Sequence, residues 1–178
     1  MMFTPAPLPG VFTIDPALIG DSRGFFARTF CTTEFAEHGL ETTFVQCNSS
    51  GNAYRNTVRG LHFQRPPHEE VKVVRCIRGA IFDVAVDLRP DSATYLQWFG
   101  AELTAENRRM LYVPRGFGHG YQTLSDNAEV LYQVSDPYTP AAEGGCRFDD
   151  PAIGVTWPLD TSDAVVSDKD AAWPLLTE

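Results

Sequence analysis

From residue 43 to residue 135 the chain runs in short apolar and polar steps broken by Gly and Pro. In the clearest run, residues 81–88, Phe82, Val84, Val86 and Leu88 fall on one side of an extended strand. Ile81, Asp83, Ala85 and Asp87 fall on the other, because successive strand side chains point to opposite faces. A strand over residues 71–75 precedes it, with Arg78-Gly79-Ala80 as the connecting turn. Residues 111–113 form a short strand stopped by Pro114-Arg115-Gly116, and residues 130–134 another closed by Asp136-Pro137. Helical signals are few: residues 33–38, with Thr32 or Thr33 as cap and Gly39 as stop, and one or two turns over 167–172. The first forty residues are less regular, the kind of segment that packs across a neighbour or covers a sheet edge. The pattern predicts an all-β sandwich or barrel with a few short helices. With no repeat and no linker, it predicts a single domain over 1–178.

Composition narrows the function. A chain of 178 residues suffices for one buried core. Its 14 Lys and Arg against 23 Asp and Glu leave a net charge of −9, which argues against nucleic acid as the main partner. No apolar run approaches the length of a membrane span. Met1 to Pro5 lack the basic-then-apolar order of a signal peptide, and none of the four cysteines forms a Cys-x-x-Cys pair. Free thiols in a reducing cytoplasm are the expectation.

Two segments carry candidate chemistry, residues 57–64 around His62 and residues 113–120 around His119, each Gly-rich and strand-like. Pro114-x-Gly116-x-x-His119 matches the latter half of the metal-cupin pattern. A metal-binding cupin also supplies His-x-His and a Glu from an earlier hairpin. Here His62 and His68 stand six apart, roughly 20 Å if fully extended, and although Glu69 and Glu70 follow, a facing pair of ligands is missing. The expectation is a cupin-like barrel without a catalytic metal. Without a metal, His62 can exchange a proton near neutral pH if a carboxylate orients it. Asp83, Asp87 and Asp170 are candidates, and spacing does not choose among them. A core histidine held by hydrogen bonds is equally consistent with spacing alone.

The chain resembles the dTDP-4-dehydrorhamnose 3,5-epimerase family over essentially its whole length. The resemblance rests on residues 20–26 (Gly-Asp-Ser-Arg-Gly-Phe-Phe), 45–50 (Val-Gln-Cys-Asn-Ser-Ser), 59–64 (Arg-Gly-Leu-His-Phe-Gln) and 72–76 (Lys-Val-Val-Arg-Cys). It extends to residues 82–89, 113–120 and 167–170, and the order and spacing of the set are more specific than any one stretch. It implies a cupin-type jelly-roll barrel, a homodimer and no cofactor. The substrate it implies is a nucleotide-linked 4-keto-6-deoxy sugar inverted at C3, C5 or both. His62 matches the family's base, Asp170 its orienting carboxylate, Tyr132 the proton donor, and Lys72 the cation beside the keto oxygen. Arg23, Gln46, Asn48, Arg59, His119, Glu143 and Lys169 fall at positions that line the substrate site.

Strict alternation puts Arg59 and His62 on opposite strand faces, so both reach one pocket only if the strand is irregular between them, and Gly60 is the natural bulge. The chain departs from the family pattern in places. Arg28 stands where a Glu is usual, Ile19 where an aromatic is common, and Cys47 where an acid is frequent; Gly118 and Tyr121 are milder changes. Because Arg only donates hydrogen bonds, Arg28 opens a competing expectation of a cytosine nucleotide in place of thymine. A metal-dependent cupin enzyme and a non-catalytic sugar-nucleotide binder also compete with the epimerase reading.

Overall fold

The computed structural model describes residues 1–176. Its strands are β1 (Met2–Pro5), β2 (Phe12–Asp15), β3 (Leu18–Asp21), β4 (Gly24–Ala27), β5 (Gln46–Asn52), β6 (Val58–Gln64), β7 (Lys72–Arg78), β8 (Ala80–Asp87), β9 (Trp98–Thr104), β10 (Met110–Val113), β11 (Phe117–Thr123), β12 (Ala128–Val134) and β13 (Glu143–Gly145). The helices are α1 (Thr32–Glu37) and α2 (Asp168–Ala171). Antiparallel pairing gives a six-stranded sheet in the order β1-β2-β10-β7-β12-β5, a five-stranded sheet in the order β13-β6-β11-β8-β9, and a separate β3–β4 hairpin. This is the all-β sandwich that the pattern predicts and the jelly roll that the resemblance implies.

Each large sheet packs apolar side chains on both faces. Val74, Cys76, Leu111 and Val130 from the first sheet interleave with Ile81, Ala85, Leu103 and Phe117 from the second to form the inner core. The outer face of the second sheet carries Leu61, Val84 and Val86 and is covered by the C-terminal segment through Ile153 and Trp157. That explains why β8 is apolar on both sides. It also sets Asp83 and Asp87, each fully buried, on the inner side.

The N-terminal forty residues are more regular than their sequence suggests. β1 and β2 complete the edge of the first sheet beside β10, which fits an edge-covering role. The β3–β4 hairpin stands apart and leaves Leu18, Ile19, Phe25 and Phe26 exposed. The cap expected at Thr32 or Thr33 is displaced to Cys31, whose side chain makes no capping bond. A six-residue helix has little stability of its own. Here burial of Phe35 among Phe3, Phe30, Phe44 and Tyr112 sets its position rather than a polar cap. Gly39, at φ +68°, ends it as expected, its N–H donating to the Ala36 carbonyl at 2.9 Å.

Candidate active site

The expected irregularity at Gly60 is present. His119 pairs with His62 and Tyr121 with Arg59, so β6 spends one more residue than β11 over the same span. Gly60 takes φ +102°, and a Cβ there would lie 2.6 Å from the His119 carbonyl oxygen. Across the strand, a Cβ on Gly120 would lie 2.6 Å from the Arg59 carbonyl oxygen. The two glycines let the backbones close up, and the extra residue turns Arg59 and His62 toward the same interior.

That interior holds two adjoining cavities. The larger, of about 400 Å³, is lined by Gln46, Asn48, His62, Lys72, Tyr132, Glu143 and Lys169 among others. The smaller, of about 160 Å³, is lined by Arg59 and His119 together with His62, Lys72 and Tyr132. His62, Lys72 and Tyr132 are common to both, so an imidazole, an ammonium and a phenol face one shared space.

The choice among Asp83, Asp87 and Asp170 is resolved by geometry. His62 Nε2 lies 2.6 Å from Asp170 Oδ1, and the other carboxylate oxygen accepts the Gly60 N–H at 3.1 Å. α2 carries Asp170 into place: Ser167 caps it, its Oγ accepting the Asp170 N–H at 3.1 Å. Burial works against the Asp170 charge, but the bonds from His62 and Gly60 outweigh it and hold the carboxyl below its ordinary range. An ionised carboxylate only accepts, so Nε2 is the nitrogen that donates to Asp170, and Nδ1 is the one turned away from it. Asp83 pairs instead with His119, at 2.8 Å from Nε2. Asp87 accepts from Arg89, Ser92 and Thr94 and ties down the β8–β9 loop.

Tyr132 is pushed above the usual phenol range, chiefly by burial and then by the neighbouring Tyr121. It therefore stays protonated, as a proton donor must. Arg59 is steadied by Asn52 Oδ1 at 2.8 Å and the Gly51 carbonyl at 3.2 Å. Gln46 donates to Asn48 Oδ1 at 2.8 Å. At the rim Lys169 pairs with Glu143. Burial raises the Glu143 carboxyl, but its bonds to Lys169 and Tyr138 overcome this and bring it below its usual range.

Two expected residues lie elsewhere. Arg23, on the hairpin turn, pairs with Asp21, and Arg28 pairs with Glu34 at 2.8 Å; neither lines either cavity within one chain. Conversely, Gln64, Glu70 and Tyr138 line the larger cavity, and the sequence does not mark them as substrate contacts. Gln64 closes the 59–64 stretch two residues from His62 but has no role assigned to it there, and Tyr138 carries no local motif. Glu70 stands out in sequence only as a metal-ligand candidate. Among the described residues no three His, Cys, Asp or Glu side chains gather as a metal site would require.

The family model described as dTDP-4-dehydrorhamnose 3,5-epimerase matches residues 5–178. The dTDP-4-dehydrorhamnose 3,5-epimerase of Salmonella typhimurium is 45% identical over 179 residues, covering 100% of this chain and 97% of that one. The crystal structure of the Elizabethkingia anophelis dTDP-4-dehydrorhamnose 3,5-epimerase superposes with a TM-score of 0.96 at 37% identity, covering 99% of this chain and 97% of that one. A dTDP-6-deoxy-D-glucose-3,5-epimerase from Legionella pneumophila, solved in complex with dTDP-4-keto-L-rhamnose, gives 0.92 at 37% identity, covering 99% and 93%.

Proposed function

The chain belongs to the dTDP-4-dehydrorhamnose 3,5-epimerase family, and we propose that it inverts C3 and C5 of dTDP-4-dehydro-6-deoxyglucose by proton transfer between His62 and Tyr132. The observation that carries this reading is the shared cavity of His62, Lys72 and Tyr132, with Asp170 behind the imidazole.

The 4-keto group acidifies the hydrogens on C3 and C5. His62 Nδ1 takes one of them; the C–H pair moves into the ring and leaves an enolate on the keto oxygen. Lys72, nine-tenths buried, stabilises that charge. Tyr132 returns a proton to the opposite face of the same carbon. The sugar's formula is unchanged, and imidazolium and phenolate are left to be reset by proton exchange with solvent. Asp170 holds the tautomer and steadies the imidazolium, and His119 is held by Asp83 in the smaller cavity. Gln46, Asn48, Arg59, Glu143 and Lys169 position the remainder of the substrate, with guanidinium and ammonium groups suited to a diphosphate.

The exposed hairpin supports the homodimer. Ile19 is 68% and Phe26 67% exposed on a two-stranded ribbon, and such a ribbon is marginal in water unless it docks. Docking on a second copy would bring Arg23 and Arg28 toward that copy's cavity. Sedimentation of the wild type should give a dimer, and Ile19→Asp with Phe26→Asp a monomer; a monomeric wild type contradicts this part.

NMR of the purified protein with dTDP-4-dehydro-6-deoxyglucose tests the activity. Formation of dTDP-4-dehydrorhamnose is expected. Turnover confined to the CDP-linked sugar would instead favour the cytosine nucleotide.

A further inference from the structure

Lys72 depends on a neighbour. Its ammonium lies 3.0 Å from Glu70 Oε1, with only 11% of the Lys72 and 9% of the Glu70 side chain exposed. Among the described residues Glu70 is its sole ion-pair partner. The two stand on the same face at the entry to β7, two residues apart. Val71 between them points the other way, into the cluster around Phe35. Its backbone is clamped by Ser135, whose Oγ accepts the Val71 N–H at 2.8 Å and whose N–H donates to the Val71 carbonyl at 3.1 Å. The second Glu70 oxygen accepts from the Gln64 amide. That same amide reaches the His68 carbonyl at 2.9 Å, and its oxygen accepts the Thr139 N–H at 2.6 Å. The ammonium is thus hung from a brace fastened to β6, to the loop before β7 and to the loop after β12.

We propose that Glu70 is a positioning residue that fixes the Lys72 ammonium at the place where the keto oxygen gains charge. The proposal rests on the reading of Lys72 as that cation. A lysine is a hydrated point charge on a flexible stem, and a cavity does not hold such a group at one point without a fixed acceptor. A negative charge beside a developing oxyanion gives no help by itself, so Glu70 contributes acceptor geometry rather than charge. An amide oxygen in the same place should serve nearly as well, and an apolar side chain should not.

The test measures kcat and KM on dTDP-4-dehydro-6-deoxyglucose for Glu70→Gln, Glu70→Leu, Glu70→Ala, Lys72→Ala and the Glu70→Leu/Lys72→Ala pair. In Glu70→Leu and Glu70→Ala, kcat should fall about 30-fold with KM within about 3-fold, while Glu70→Gln stays within about 3-fold of wild type. The double variant should be no slower than Lys72→Ala, because Glu70 acts through the lysine. Unchanged dTDP affinity in each variant shows that the fold persists, and Glu70→Ala carries the comparison if Glu70→Leu does not fold. Wild-type kcat in Glu70→Leu or Glu70→Ala, or losses that multiply in the double variant, overturns the positioning role while leaving Lys72 in place. Wild-type kcat in Lys72→Ala overturns the reading of Lys72 itself, and Glu70's role with it.

Discussion

His62 Nε2 and Asp170 Oδ1 meet at 2.6 Å although 108 residues separate them in the chain. The bond joins a strand of the barrel to a four-residue helix near the C-terminus, and Gly60 N–H completes the hold on the carboxylate. The C-terminal segment is therefore part of the proposed catalytic machinery and not only a cover for the outer sheet.

Asp170→Asn should keep the carbonyl acceptor for one donor but lose the charge that steadies the imidazolium. We expect kcat to fall by about 100-fold or more with KM changed little. Steady-state kinetics on the dTDP-linked sugar checks this, and a kcat within about 3-fold of wild type would dismiss the pairing as structural.

Tyr132→Phe should separate two events that the wild type couples. His62 can still remove a proton and return a deuteron to the same face. In heavy water the variant should accumulate deuterated but uninverted sugar, with epimer formation reduced by about 100-fold. Inversion at the wild-type rate would assign the donor elsewhere.

Gly60→Ala places a side chain in a left-handed conformation and against the backbone of β11, 2.6 Å from the His119 carbonyl oxygen. A loss of about 3 kcal/mol is expected from strain and clash. Thermal denaturation should show a melting point lower by roughly 6–12 °C for a domain of this size.

Stability at low pH should depend on Asp87, which is fully buried. Burial opposes its charge, but the Arg89 guanidinium and the Ser92 and Thr94 hydroxyls hold its carboxyl far below the ordinary range. A carboxyl depressed by folding adds stability above its unfolded value of about 3.9 and loses it as pH falls toward the folded one. Asp87→Asn should therefore be less stable than wild type by about 3 kcal/mol at pH 7, with the gap narrowing below about pH 4. Urea unfolding at pH 7 and pH 3 measures both gaps; an equal gap at both would exclude this carboxylate as the cause.

The sheet fold is readable in the sequence because β8, β7 and β12 carry period-two apolar runs, and the Arg59–His62 conflict itself locates the bulge at Gly60. The helix stop at Gly39 is readable for a similarly local reason, its positive φ. What stays hidden depends on long-range packing. β1 and β2 are short and gain their order from the sheet edge, and α1 starts where Phe35 finds its pocket, not where a Thr could cap it. The partner of His62 is open among three aspartates in the sequence, because only the folded chain brings Asp170 across 108 residues. Gln64 and Glu70 stand two residues from His62 and Lys72, a spacing that could have found them, whereas Tyr138 joins the cavity from the loop after β12, where no local spacing records it.

The claim on which the mechanism turns is that the His62 imidazole removes hydrogen from carbon beside the ketone. Deuterium incorporation at C3 and C5 of dTDP-4-dehydro-6-deoxyglucose in heavy water, compared between wild type and His62→Asn, tests it directly. The wild type should exchange both positions, and His62→Asn, with dTDP affinity unchanged, should exchange each more slowly by about a thousandfold or more. Exchange in His62→Asn within about tenfold of the wild-type rate at either carbon would contradict the assignment of the base at that carbon.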